Sequence, residues 1–199
     1  VTMGYKVQPS DEVKYNGSLI KSEKKKYLVL NKPKGFITSI TDKKAKKTVE
    51  ELVGNACRER LYPVGSMDRT STGVLLFTND VDLAKKMAHP KNGAVQIISV
   101  VLDKPLQKTH LTAIAKGMEL EDGKIDVEEI KYIDERTKRE VGLRLHSGKH
   151  RLVNRIFDKF GYTIEKMDRV SFAGFTKKNL SRGQWRFLDP KEVDFLKTR

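Results

Sequence analysis

Apolar residues along this chain fall into short runs separated by polar turns, and few stretches repeat at the three- and four-residue spacing of a helix. Val1 to about Ser22 alternates polar and apolar residues, with turn signals at Gly4, Pro9 and Gly17, which predicts a short hairpin too small to bury a core alone. Tyr27 to Leu30 reads as an apolar strand, Val74 to Thr78 as a buried one and Val95 to Leu102 as another. Further strands are predicted near Val127 to Ile133, Glu140 to Leu145 and Ile164 to Phe172. Thr48 to Val53 reads as a short helix, with Cys57 on its continuation. Asn79 or Asp80 caps a helix carrying Leu83, Ala84 and Met87, and Leu111 to Met118 forms another. The clearest helix runs from His150 to Phe160 with Gly161 as its stop. Leu152, Val153, Ile156, Phe157 and Phe160 make its apolar face, and Arg151, Asn154 and Arg155 share the other. Asp189-Pro190, a cap followed by an N1 proline, opens a last helix with Val193 and Leu196 inward. Strands follow one another in pairs instead of alternating with helices. The predicted fold is therefore α+β, a mixed and mainly antiparallel sheet with flanking helices.

Charge adds a partner class to this outline. The chain has 199 residues, 38% hydrophobic and 33% charged, with a formal net charge of +14. A basic balance of that size points to a polyanion, whose phosphates Lys and Arg neutralise. Ten lysines lie between Lys21 and Lys47, around the turn Asn31-Lys32-Pro33-Lys34-Gly35, whose rigid proline can hold them in place. No apolar run approaches the ~18–20 residues that a bilayer requires, and no secretory segment opens the chain. The sole cysteine, Cys57, cannot form an internal disulfide, so a cytoplasmic setting is expected. Val1 stands where an initiator methionine is expected, which points to a fragment. His89, His110, His146 and His150 are not at metal-ligand spacing with Cys57, and no metal is expected.

The candidate chemistry lies between Leu61 and Asp80. Gly65 and Gly73 bracket a polar loop in which one carboxylate, Asp68, sits among hydroxyls and Arg69. By residue type alone, an aspartate in such a loop is more often a cap or turn residue. The stretch resembles the catalytic motif of the pseudouridine synthases that modify ribosomal RNA, G-R-L-D-x-x-S/T-S/T-G-L-L-L-L-T-N-D, with Asp68 on its aspartate. Leu30 to Gly35 resembles the family's L-N-K-P-x-G motif, and Gly117 to Gly123 its G-x-x-L-x-D-G hairpin. His146 to Phe157 resembles G-R-N-R-Q-V-R-R-M-F, and Leu180 to Arg186 resembles L-x-x-G-x-W-R. The motifs keep the family's order from about Tyr27 to the C-terminus. Residues 1–22 look like the closing strands of the family's small RNA-binding module without its helical front half, which leaves 23–199 as the catalytic domain.

The resemblance implies isomerisation of a specific uridine in ribosomal RNA to pseudouridine, with Asp68 acting at ribose C1′ of a flipped nucleotide. Uracil is released, turns and is rejoined through C5, and no cofactor is required. A carboxylate suits the task because C1′ gains oxocarbenium character as the glycosidic bond breaks. Lys32, Lys34, Arg69, Thr70, Lys149, Arg151 and Arg155 are the implied RNA contacts, and Ile98 the wall beside the base. The tail pattern Val170 to Thr176 favours the large-subunit branch, so the implied partner is large-subunit rRNA or a pre-ribosomal particle, bound by a monomer. Three positions depart from the family. Ser66 replaces an arginine, which leaves Arg69 or Arg155 to face Asp68; Ile98 replaces a tyrosine; and Asn154 replaces an arginine in a helix start already thinned by Lys149 and Leu152. These losses motivate a second reading, a relative that keeps the fold and rRNA binding with little catalysis and serves as an assembly factor.

Overall fold

The structure, a computed structural model, describes residues 4–8, 11–20, 23–38, 47–89, 93–121, 123–146 and 151–198. β1 (Lys14–Tyr15) and β2 (Ser18–Leu19) form an exposed hairpin near the N-terminus. β3 (Tyr27–Lys32), α1 (Val49–Val53), β4 (Tyr62–Pro63), β5 (Thr72–Thr78) and α2 (Val81–Met87) follow. The middle of the chain forms β6 (Val95–Leu102), α3 (Lys108–Ala115) and a hairpin of β7 (Met118–Leu120) and β8 (Gly123–Ile125). β9 (Glu129–Tyr132), β10 (Glu140–His146), α4 (Leu152–Lys159) and β11 (Ile164–Phe172) come next. β12 (Phe175–Thr176), β13 (Trp185–Phe187) and α5 (Pro190–Lys197) close the chain. The fold is α+β, as the paired strands predict. No helix among the described residues is long and apolar enough to cross a membrane.

The main sheet runs in the order β13-β3-β5-β11-β6-β10-β9, with β4 beside β5 and β12 beside β11. Every pairing in it is antiparallel except β5 with β11, which meet in parallel through Asp168 opposite Thr72 and Arg169 opposite Gly73. That short junction joins two half-sheets with separate cores. On one side Val100, Leu102, Val141, Leu143 and Leu145 pack with Ile114 of α3 and Ile156 and Phe157 of α4. On the other, β3 and β5 are covered on both faces, which is why each reads as an unbroken apolar run. Leu28, Leu30, Leu75 and Phe77 meet Val49 and Val53 of α1. Val29, Val74 and Leu76 meet Met87 of α2, Phe172 and Leu196 of α5.

The tail is stitched into this second half through Asn31. Its backbone N–H donates to the Gln184 carbonyl at 2.9 Å, its own carbonyl accepts from Gly183 N–H at 2.8 Å, and its amide donates to the Leu180 carbonyl at 2.7 Å. Arg182 completes the brace, donating to Asn31 Oδ1 at 2.6 Å and to Asp168 Oδ1 at 2.7 Å. Burial works against the Asp168 carboxylate, yet Lys177, Thr72 and Arg182 hold it below the ordinary range. Two motifs far apart in sequence are thus one structural unit.

Some expectations move. α3 begins and ends earlier than predicted, and Met118 opens β7 because Gly117 stops the helix before it. Asp80, not Asn79, caps α2, accepting from Leu83 N–H at 3.4 Å, while Asn79 accepts from Lys26 N–H at 2.8 Å. Cys57 lies beyond the end of α1, which stops at Val53; its thiol donates to the Glu59 carbonyl at 3.4 Å.

Candidate active site

Asp68 sits on the loop between β4 and β5, immediately ahead of the parallel junction. Two turns clamp that loop. Gly35 N–H donates to the Arg69 carbonyl at 2.8 Å and Arg69 Nε returns a bond to the Gly35 carbonyl at 3.2 Å. Thr38 Oγ1 accepts from Met67 N–H at 3.1 Å and donates to the Met67 carbonyl at 3.2 Å. The third restraint is Lys32, which is fully buried at the end of β3. Its ammonium donates to the carbonyls of Ser71 at 2.8 Å, Asp68 at 3.1 Å and Pro33 at 3.3 Å. This placement departs from the expected role in holding phosphate, because strand alternation puts Lys32 on the same inward face as Leu28 and Leu30. Its charge serves the loop from beneath.

Burial pulls the Lys32 pKa from its ordinary 10.5 to about 8, with Asp68 opposing the fall and Arg169 adding to it. Between those values the unfolded chain binds more protons than the folded one, so stability from this residue rises with pH across that window. The difference in unfolding free energy between the parent and Lys32→Met is expected to grow in the parent's favour from pH 7.5 to 10. The gap caps this growth at about 3 kcal/mol. Parallel denaturant titrations at several pH values check it, and a flat or falling difference contradicts the burial argument.

The Asp68 carboxylate faces a cleft also lined by Ser66, Ser71, Gln96, Ile98, Arg151, Leu152, Asn154, Met167 and Arg169. Its side chain is 27% exposed, and Arg151 Nε stands 3.6 Å from Oδ2. Among the described residues Arg151 is therefore a cation that faces the carboxylate, at a place where the sequence offered Arg69 or Arg155. It occupies the cap of α4 with a left-handed backbone, φ 48° and ψ 32°, so its side chain leaves the row that helical spacing assigns it. Asn154 accompanies it at the cleft, whereas Arg155 lines a different hollow with Glu119, Glu121, Asp158 and Lys159. Lys34, Arg69 and Thr70 are exposed on the paired turns beside Asp68. Lys149 lies outside the described residues. Ser66, Ile98 and Asn154, the three departures from the family pattern, all line the cleft, and no tyrosine is among its lining residues. Sequence reasoning missed Arg169, a nearly buried guanidinium in the cleft wall. An arginine followed by three uncharged residues at the end of β11 was the available signal.

The comparisons with known proteins agree with this architecture. A crystal structure of a pseudouridylate synthase superposes with a TM-score of 0.78 at 23% identity, covering 96% of this chain and 83% of that one. The archaeal box H/ACA sRNP Nop10–Cbf5 complex superposes more distantly, with a TM-score of 0.54 at 14% identity over 77% of this chain and 49% of that one. In sequence, the chain is 32% identical to ribosomal large subunit pseudouridine synthase B of Bacillus subtilis, across 98% of this chain and 81% of the relative. It is 30% identical to an uncharacterized RNA pseudouridine synthase of Aquifex aeolicus, across 96% and 78%. Identity to the dual-specificity RNA pseudouridine synthase RluF of Escherichia coli is 28%, across 98% and 67%. These likenesses define an isomerase that acts on uridine in RNA. The chain belongs to the RNA pseudouridylate synthase family, which it matches over residues 26–159.

Proposed function

We propose that this chain converts a specific uridine of ribosomal RNA to pseudouridine, with the Asp68 carboxylate acting at C1′ of a nucleotide turned out into the cleft. One observation carries the reading: a part-exposed carboxylate, its loop fastened from beneath, opens on a cleft walled by Ile98, Leu152 and Met167 with Arg151 at 3.6 Å. Apolar walls accept a base, and the carboxylate stabilises or bonds the sugar carbon as positive charge develops there. Drawing the nucleotide from its stack costs on the order of a few kcal/mol. Lys34, Arg69 and Arg151 offset this by engaging flanking phosphates, with Thr70 adding a hydroxyl. With Ile98 where the family has tyrosine, the wall lacks an ionisable hydroxyl, and turnover slower than in tyrosine-bearing relatives follows.

The name of the Bacillus subtilis relative, a large-subunit rRNA enzyme, supports large-subunit rRNA or a pre-ribosomal particle as the partner. On this reading the chain works as a monomer in the cytoplasm. Its exposed β1–β2 hairpin belongs to an RNA-binding module and residues 23–199 to the catalytic domain.

Two measurements test the proposal together. Pseudouridine maps of rRNA from cells with and without the gene should differ at one position of the large subunit. Purified protein should release tritium from C5-labelled transcripts spanning that position. Unchanged maps with no tritium release overturn the assignment.

A further inference from the structure

Arg169 has a contact set that the steps above leave unexplained. It lies on β11 opposite Ile98 of β6, is 5% exposed, and contributes to the wall of the cleft that Asp68 faces. Nε donates to the Val74 carbonyl at 2.7 Å, and Nη1 reaches Gln96 Oε1 at 3.4 Å. The Phe172 ring lies 4.4 Å from the guanidinium carbon. Nη2 is buried and has no acceptor among the described residues. A buried charged donor left unserved is costly, and a catalytic role is one of the reasons for which proteins retain such a group. Burial brings the guanidinium pKa down to about 9, so it remains a cation at neutral pH. Lys32 feels that charge as repulsion, with Asp68 as its counter-ion. A further anionic group in the cleft would relieve the imbalance.

We propose that Arg169 is a further catalytic residue whose guanidinium donates to a ring carbonyl oxygen of the target uracil and holds the base while it is detached. The proposal rests on the reading of this cleft as the uridine site and assigns the base its anchor. When C1′–N1 breaks, the electron pair leaves with the base, and the negative charge spreads from N1 onto O2 and O4. A fixed cationic donor at one of those oxygens stabilises the anion more than the neutral nucleotide, which is the condition for acceleration. The pair stays on uracil until C5 bonds to C1′. Any bond between Asp68 and C1′ breaks at that step, the C5 proton then passes to solvent water, and N1 takes up a proton from water, so that no net proton is gained or lost. Placed at O4, the same donor also selects for uracil, since cytosine presents an amino group at C4 in place of a carbonyl; placed at O2, it does not discriminate.

The test exchanges single atoms on both partners. At the uridine mapped above, ligated RNA carries uridine, 2-thiouridine or 4-thiouridine, because sulfur accepts a hydrogen bond weakly. For the wild type, one of the two sulfur positions is expected to slow single-turnover conversion about tenfold. Arg169→Met is expected to slow conversion of plain uridine about 10²-fold with RNA affinity little changed. In that variant the sulfur penalty disappears, and Arg169→Lys recovers part of both. Arg169→Met within about threefold of the wild type overturns the proposal, as does a full sulfur penalty persisting in that variant. Should thermal melting show that Arg169→Met does not fold, the wild type still decides: equal rates on all three RNAs overturn it. A wild type that leaves plain uridine unconverted fails the uridine-site reading instead, and does so before any variant is compared.

Discussion

Asp68→Asn is expected to fold like the parent and to lose pseudouridine formation by on the order of 10⁴-fold or more, the scale seen when a nucleophile acting as part of a unit is removed. The amide keeps the size of the side chain and leaves every fastening of the loop in place, since Lys32 bonds the Asp68 backbone carbonyl and not its carboxylate. What disappears is the negative charge beside C1′ and the option of a bond to it. The lost pairing with Arg151 concerns a cation that is 56% exposed, so it should cost no more than about 1 kcal/mol, and the lost attraction for buried Lys32 is met by a further fall in the lysine pKa. Tritium release under single-turnover conditions, read beside a thermal melt, separates the two quantities. A variant that melts with the parent and keeps a tenth of its rate would mean that the chemistry lies elsewhere in the cleft.

Gly73→Ala should lose the fold. An added Cβ there would stand 2.2 Å from the Arg169 carbonyl oxygen and 2.7 Å from its nitrogen, at a backbone φ of +110°. Both obstructing atoms are backbone of the neighbouring strand, so no side chain can turn aside. The strands must part at the parallel pairing of β5 with β11, which joins the two half-sheets and places Asp68's loop beside Arg169. A cost of more than about 4 kcal/mol approaches the whole stability of an ordinary domain. Gly35→Ala is the control: its φ is +95° with nothing within 4 Å of an added Cβ, so only backbone strain of about 1–2 kcal/mol applies. Denaturant unfolding of the two variants should therefore diverge sharply. Similar midpoints for both would show that the sheet junction yields more easily than its geometry implies.

Legibility in the sequence followed the physics of each segment. β6 occupies Val95–Leu102, as its run of apolar and β-branched residues indicates, and β5 encloses the predicted Val74 to Thr78 because burial on both faces leaves an unbroken apolar signature. Helix ends were harder. Ile114 and Met118 share a helical spacing across Lys116 and Gly117, and the hairpin pairing of Met118 with Ile125 shows that the glycine is where helix gives way to strand. Cys57 follows a helical pattern that the chain abandons at Gly54.

The sequence alone determined the chemistry on offer: one carboxylate in a glycine-bounded loop, a strong positive balance, and ordered motifs that name a reaction class. Local pattern suffices there, because residue type and spacing carry that information. Which charges meet was decided by the tertiary structure. Arg151 faces Asp68 through a left-handed cap that helical spacing does not foresee, while Arg155 turns to another hollow. Lys32 is drawn under the loop by strand alternation, and Arg169 enters the cleft wall only because β11 pairs with β6 and β5 at once. Each of these depends on register and backbone handedness between segments distant in the chain, and a charged side chain's partner is set by those distances instead of by its neighbours in sequence.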